Sequence, residues 1–204
     1  MAKIQLTKGE LKRQRDALKQ YQRYLPTLQL KKQQLQVEIL HLRAALDDRL
    51  GREKNKRRTA AGWAGLLTDG VQGVREGCRP HRVVTGARNV AGVDLPVFER
   101  VEFEPAAYDL FLTPLWVDAG LEALKEIVSL REEIAVLREA QRILRDELRV
   151  TAQRVNLFEK VKIPQAEETI RLIKIVIGDQ MVNAVGRSKI AKRKIQVALE
   201  EVAA

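Results

Sequence analysis

Glycine and proline, the residues that most disrupt helices, are concentrated in the middle of this chain. Eight of the 12 glycines lie between Gly51 and Gly92, and four of the six prolines lie between Pro80 and Pro114. Long helices are therefore possible only on either side of that window. The distribution predicts three regions: an N-terminal helix over 1–60, an irregular middle over 61–113 and a C-terminal helix over 114–204.

Apolar residues recur every three and four positions in both outer segments. The N-terminal positions, nine of twelve of them apolar, are Leu11, Gln14, Leu18, Tyr21, Leu25, Leu28, Lys32, Leu35, Ile39, Leu42, Leu46 and Arg49. The C-terminal positions are Leu130, Ile134, Leu137, Gln141, Leu144, Leu148, Thr151, Val155, Phe158, Ile163, Ala166, Ile170, Ile173 and Ile177. A narrow stripe of period 3.5 bordered by charged residues is typical of a coiled-coil seam. We therefore expect a mainly α fold in which the N- and C-terminal helices form a long antiparallel two-helix coiled coil.

Both predicted helices contain a proline. The last five C-terminal seam positions are shifted by one residue, and we assign this skip to Pro164; the N-terminal helix contains Pro26. If residue 60 lies beside residue 130, residue 26 lies beside residue 164. The prediction is that both helices bend at one level.

The C-terminal helix is expected to be the longer one. Thr113 suits an N-cap and Pro114 suits the first helical position, where its missing N–H is not needed. From there to about residue 195 is roughly 80 residues, or about 120 Å. Its end should therefore extend past the start of the N-terminal helix.

Short runs of valine and other apolar residues in the middle region predict two strands. The residues are Val83, Val84, Val90, Val93, Leu95, Val97, Val101 and Phe103, with polar residues between them, and 91–94 is the expected connection between the strands. We expect a β-hairpin at the far end of the helix pair, accompanied by small helices.

Composition sets further limits. The chain carries a net charge of +10 and a single cysteine, Cys78, so no intrachain disulfide can form. Residues 1–58 hold 16 basic residues against six acidic ones. No run of 18 apolar residues and no apolar signal core is present. We expect a cytoplasmic protein that does not enter the membrane directly.

The sequence lacks the common motifs of catalysis and cofactor binding. It contains no GxxxxGK[ST] phosphate loop, no HExxH pair and no Cys/His ligand cluster. His41 and His81 are interpreted as surface or packing residues. The prediction is a non-enzymatic chain with no catalytic residues, no cofactor and no metal.

Four stretches together resemble the D subunit of V-type ATPases and ATP synthases, especially the bacterial forms. They are YLPTLQLKKQQLQ at 24–36, ARNVAGVDLPVFE at 87–99, RVNLFEKVKIP at 154–164 and GDQMVNAVGRSKIAKRK at 178–194. Their order and spacing cover nearly the whole chain. The resemblance implies the central stalk of a rotary motor, a shaft that transmits torque between the catalytic head and the membrane rotor.

The resemblance also implies partners. Both termini would enter the hexameric head of catalytic and non-catalytic subunits, A and B; the F subunit would bind along the side; and the middle end would meet the socket subunit (C/d) of the membrane rotor. The complex would lie on the cytoplasmic face of the membrane. Positive charge near the two termini would then face the bore of the head, which makes these residues the candidate contacts: Lys3, Lys8, Lys12, Arg13, Arg187, Lys189, Lys192, Arg193 and Lys194.

Two other classes of protein remain as alternatives. The sequence pI near 9.9 and the basic run at 54–58 suit a coiled coil that binds nucleic acid, although the basic residues lack interleaved aromatics and no helix-turn-helix or zinc finger is visible. The second alternative is a scaffold protein whose helices pair with other chains. The strand pair in the middle region argues against this alternative. We favour the shaft and expect no nucleic-acid partner.

Overall fold

The structure is a computed structural model that describes residues 5–65, 74–105 and 113–203. It contains helices α1 (Lys8–Ala61), α2 (Val74–Gly77), α3 (Trp116–Leu157) and α4 (Ile163–Ala203), and strands β1 (Pro80–Val90) and β2 (Val93–Phe103). A π-helical turn, Phe158–Lys162, separates α3 from α4 and is called the π-turn below. The predicted mainly helical chain with a strand pair in its middle is confirmed.

The chain divides into two compact units. One, called the terminal unit below, comprises Met1–Leu30 and Ala152–Ala204, and the other, called the central unit, comprises Lys31–Thr151. All 12 predicted seam positions of α1 and all 14 in the C-terminal helices are buried or half-buried, whereas most residues between them are exposed. The period-3.5 pattern therefore identified the inward face of each helix correctly.

In the central unit, α1 and α3 run antiparallel and are joined by ion pairs. Lys31 Nζ lies 2.7 Å from Glu147 Oε1, Arg49 Nε lies 2.7 Å from Glu133 Oε1, and Lys56 pairs with Glu126. These pairs place residue 60 at the level of about residue 122 in α3. The assumption that residue 60 lies beside residue 130 was wrong by about one heptad.

The hairpin has a two-residue turn and packs on the helices of the central unit. Ala91 (φ 51°) and Gly92 (φ 77°) both have positive φ, as a type I′ turn requires. Residues next to the turn reach the apolar cluster of Leu35, Ile39, Ala140 and Leu144, to which the strands contribute the buried Leu95 together with Val90 and Val93. The expectation of a hairpin at the far end of the helix pair holds for the base of the hairpin, where Phe103 lies beside Lys125, but its turn packs well back along the helices.

Polar contacts fix the turn and the docked strand. The Asn89 amide Nδ2 donates to Asp94 Oδ1 at 2.7 Å, and the Gly92 N–H donates to Asn89 Oδ1 at 3.1 Å. Arg88 Nη1 lies 3.3 Å from Glu38 Oε1 on α1. The hairpin is thus attached to α1 by an ion pair as well as by apolar packing.

The terminal unit is held by residues of α3 and α4 that face α1. Val155, Ala166, Ile170, Ile173 and Ile177 are buried. Besides the C-terminal helices, the described part of this unit consists almost entirely of the first part of α1. These buried side chains are therefore covered by α1.

The two prolines of the terminal unit are not at one level. The ring of Tyr21 stacks on that of Phe158, with centroids 5.3 Å apart. Pro26 lies five residues after Tyr21 and Pro164 six residues after Phe158, in opposite directions along the antiparallel pair. They are therefore separated by about three helical turns, so the assumption that residue 26 lies beside residue 164 was wrong.

The start of the C-terminal helical region also differs in detail. Regular helix begins at Trp116, after a turn in which the Val117 N–H donates to the Pro114 carbonyl at 3.0 Å. This is two residues later than the sequence pattern predicted. Differences of this size are usual at helix ends.

Leu35 and Leu40 provide a matched test of the seam. Leu35 is fully buried and Leu40 is 60% exposed in the same helix. We expect Leu35→Ala to lower the free energy of unfolding by about 2–5 kcal/mol, because it removes buried methyl groups and leaves a cavity. Leu40→Ala should change it by less than about 0.5 kcal/mol. Urea unfolding followed by circular dichroism measures both; equal losses would contradict the assigned inward face.

The Arg49–Glu133 pair tests the register of the central unit. The Arg49 and Glu133 side chains are half-buried, and Arg49 also pairs with Asp48; Arg52 is exposed and pairs with Asp48 of its own helix. Arg49→Ala should cost about 1 kcal/mol of unfolding free energy and Arg52→Ala only a few tenths. A double-mutant cycle with Glu133→Ala should show coupling between residues 49 and 133. Additive losses in that cycle would mean that the pair does not form.

Candidate partner-binding surfaces

The last part of α4 has no cover from the rest of the described chain. Every residue from 178 to 199 whose side chain is described is exposed. This segment is called the C-terminal arm below. Its large apolar side chains, all exposed, are Met181, Val182, Val185, Ile190, Ile195, Val197 and Leu199. So many exposed apolar side chains on one helix indicate a surface that a partner covers.

The C-terminal arm is also strongly basic. It contains five of the predicted contact residues, all exposed, and no acidic residue between 180 and 199: Arg187, Lys189, Lys192, Arg193 and Lys194. Its partner surface must therefore accept both apolar and positively charged side chains.

The N-terminal candidates lie at the start of α1 in the same unit. Lys8, Lys12 and Arg13 are exposed, and Arg13 Nη1 lies 3.3 Å from Glu10 Oε2. Lys3 lies outside the described residues. The structure thus brings the N-terminal and C-terminal candidates into one unit and leaves those that it describes open to solvent.

Local hydrogen bonds are the main internal support of the C-terminal arm. Arg187 Nε donates to the Asn183 carbonyl at 3.4 Å, and Ser188 Oγ donates to the Ala184 carbonyl at 2.9 Å. Gly178 and Gly186 lie within the helix with open space where a Cβ would stand. Glycine in a helix interior costs about 1 kcal/mol relative to alanine, so the isolated arm is only weakly stabilised.

A second apolar surface lies in the central unit and was not singled out from the sequence. Trp63 and Trp116 line a cavity of about 240 Å³ together with Ala119 and Gly120, and Leu115 beside it is 100% exposed. A Cβ at residue 120 would lie 3.3 Å from the Trp116 ring. Because Gly120 has no Cβ, the indole ring of Trp116 can lie close to the backbone at that position. The period-3.5 pattern could not predict this surface because its residues lie outside the seam positions, which span 11–49 and 130–177.

The lone cysteine is adjacent to this region. Cys78 packs against Val117 and Leu121, and burial raises the pKa of its thiol, an effect partly offset by the positive charge of Lys125. The Lys125 ammonium also lies 5.7 Å from the centre of the Phe103 ring. A thiol with a raised pKa is a poor nucleophile at neutral pH, so we assign Cys78 a packing role.

A wide surface groove of about 630 Å³ runs beside Arg52, Lys56 and Glu126. Its charges are already paired: Arg52 with Asp48 and Lys56 with Glu126. Binding a charged substrate there would require breaking these pairs.

Histidine and acidic residues are scattered over the described ranges. His41 and His81 are exposed, each near one glutamate, at 3.7 Å from Glu38 and 3.9 Å from Glu104. Within residues 5–65, 74–105 and 113–203, no three His, Cys, Asp or Glu side chains form a group able to hold a metal ion.

None of the helices in the described ranges contains a segment long and apolar enough to cross a bilayer.

Comparison with known proteins covers almost the whole chain. Residues 10–193 match the family model for the D subunit of ATP synthase. The V-type ATP synthase D subunit of Borreliella burgdorferi is 42% identical over 195 residues, 96% of each chain. Those of Chlamydia muridarum and Chlamydia abortus are 36% and 35% identical, each over at least 96% of both chains. With this coverage and identity, and with the helices and hairpin described above, the chain belongs to the ATP synthase D-subunit family.

Proposed function

We propose that this chain is the central rotor shaft of a V-type rotary ATPase or ATP synthase, a non-catalytic subunit that transmits torque between the catalytic head and the ion-translocating membrane rotor. The observation that carries the proposal is the C-terminal arm, a helical segment whose apolar and basic side chains are all exposed. Such a segment needs an enclosing partner, and a ring of head subunits provides one. The family membership supports the same assignment.

A shaft must resist twisting, and the contacts within each unit supply that resistance. In the central unit, three ion pairs and an apolar cluster join α1 to α3, and the hairpin packs over the cluster. In the terminal unit, the buried isoleucines of α4 do the same. Because both helices belong to one polypeptide, torque on either is shared by the seam.

The head subunits, A and B, would contact the C-terminal arm and the start of α1. Exposed basic side chains at both places favour a bore that carries negative potential. Electrostatic attraction has no fixed interlocking geometry, so it allows rotation while keeping the shaft centred. The apolar side chains of the arm would exclude water from the contact.

Two further partners fit the central unit. The socket subunit of the membrane rotor would cover the aromatic cavity of Trp63 and Trp116 and the exposed Leu115. The F subunit would bind along the side of the helices, where Val37 and Leu40 are exposed on α1. With these partners the chain would lie on the cytoplasmic face of the membrane without entering it.

Coupling between rotation and catalysis would follow from unequal contacts. The arm presents basic and apolar side chains in an irregular arrangement, so each catalytic interface would meet a different part of its surface at any one angle. A ligand or partner shifts an equilibrium only by its differential affinity for the two states. Rotation of the shaft would therefore favour a different conformation at each interface in turn.

Co-purification tests the assignment directly. The tagged chain should be isolated from native membranes by mild detergent extraction, and its companions identified by mass spectrometry. We expect two nucleotide-binding subunits in excess over this chain, with nucleotide hydrolysis in the purified material. Recovery of the chain alone, or with nucleic acid that persists at physiological salt, would reject the proposed function.

Neutralising the basic residues of the C-terminal arm tests the head contact. We expect Lys189→Gln, Lys192→Gln and Arg193→Gln together to reduce assembly with the head by about tenfold or more at low salt, because favourable electrostatic steering is lost. The matched control is Arg43→Gln, Lys54→Gln and Arg58→Gln, which removes the same charge from exposed positions of α1 in the central unit. Equal effects of the two triple variants would contradict a specific role for the arm.

A further inference from the structure

The π-turn is confined to a single turn between two regular helices. Within it the Ile163 N–H donates to the Phe158 carbonyl, five residues back. The flanking residues Leu157 (φ −62°, ψ −44°) and Ile163 (φ −66°, ψ −55°) have ordinary α-helical backbone angles. The helix is therefore wider than a regular α-helix only within the π-turn.

The π-turn accommodates one residue more than the seam needs. Inward positions before it include Thr151 and Val155, and continuing that spacing would make residue 165 inward. Instead Gln165 is exposed and Ala166 is buried. A turn closed five residues back uses one residue more than an α turn, so it absorbs the skip and keeps the later isoleucines facing α1.

The surroundings of the π-turn fix its position but leave its outer side unpacked. Glu159, Lys160 and Val161 are exposed, and none of the five residues is buried. The Tyr21 ring holds Phe158 at the first position. Pro164 has no N–H, so the five-residue hydrogen bond cannot move one step towards the C-terminus.

We infer that the π-turn is a torsional joint, the point at which α4, and with it the C-terminal arm, twists relative to α3 while the seam on either side stays closed. A wide turn with no buried side chain is easier to overwind or underwind than the packed helix beside it. The role of this joint in transmitting torque rests on the proposed function. The claim that the π-turn deforms more easily than the neighbouring helix does not depend on that function.

Hydrogen exchange and unfolding of the isolated chain test the softness. Amides of 159–163 in the natural chain should exchange about tenfold faster than those of 151–156, because local opening there breaks few contacts. Deleting Lys160 restores an unbroken period-3.5 seam, so the difference in exchange rate between the two groups of amides should vanish. The urea midpoint of unfolding should stay equal or rise. Equal exchange rates for the two groups of amides in the natural chain would contradict the proposed joint, and so would failure of the deletion variant to fold.

Deletion of Arg149 is the matched control. Arg149 is also exposed, but its loss displaces Thr151, Val155 and Phe158 from the seam. This variant should be markedly less stable than the Lys160 deletion. If the two deletions were equally destabilising, the extra residue in the π-turn would be a required part of the packing and not a joint.

The assembled complex tests the role in torque. With the Lys160 deletion, assembly should be complete but the rate of nucleotide hydrolysis should fall by about threefold or more, because a conformational step is made stiffer. An unchanged rate would overturn the joint as a functional device. If the natural chain failed to assemble with nucleotide-binding subunits, the proposed function would fail instead, and the exchange experiment would still decide the softness.

Discussion

Packing between α1 and the C-terminal helices is the interaction on which the rest of this chain depends. Neither helix has a broad apolar face, and each seam is a single narrow stripe that only a second stripe can cover. The fully buried Leu35 and Leu144 lie where the two stripes and the hairpin meet. The hairpin has only two strands and would be marginal alone, so its position follows from the helices and not the reverse.

The inward faces could be predicted from the sequence because side chains three and four residues apart share a helix face whatever the partner is. Register could not be predicted in the same way. A seam that repeats every seven residues is satisfied almost equally well after a slip of one heptad, and that is the error made in pairing residue 60 with residue 130. The pairs Arg49–Glu133 and Lys56–Glu126 distinguish the true register, and charged residues are too frequent here to identify such pairs beforehand.

Other features depend on tertiary contacts that local patterns do not contain. The strand pair and its turn were visible as valine runs around residues 91 and 92, but the surface on which the hairpin packs was not. The one-residue skip was recognised and assigned to Pro164, whereas the structure absorbs it just before that residue, in the π-turn. The basic residues of the C-terminal arm were identified as candidates from their charge together with the family resemblance; the structure shows that they are exposed, and their role as head contacts is a proposal.

The exposed apolar side chains of the C-terminal arm have a consequence for the chain before it meets its partners. A helix stabilised mainly by its own hydrogen bonds frays readily, and frayed apolar segments are substrates for proteases and nuclei for aggregation. Surplus copies made without companions should therefore be short-lived in the cell. A balanced rate of synthesis of all the chains would then matter as much for the yield of this protein as its own folding does.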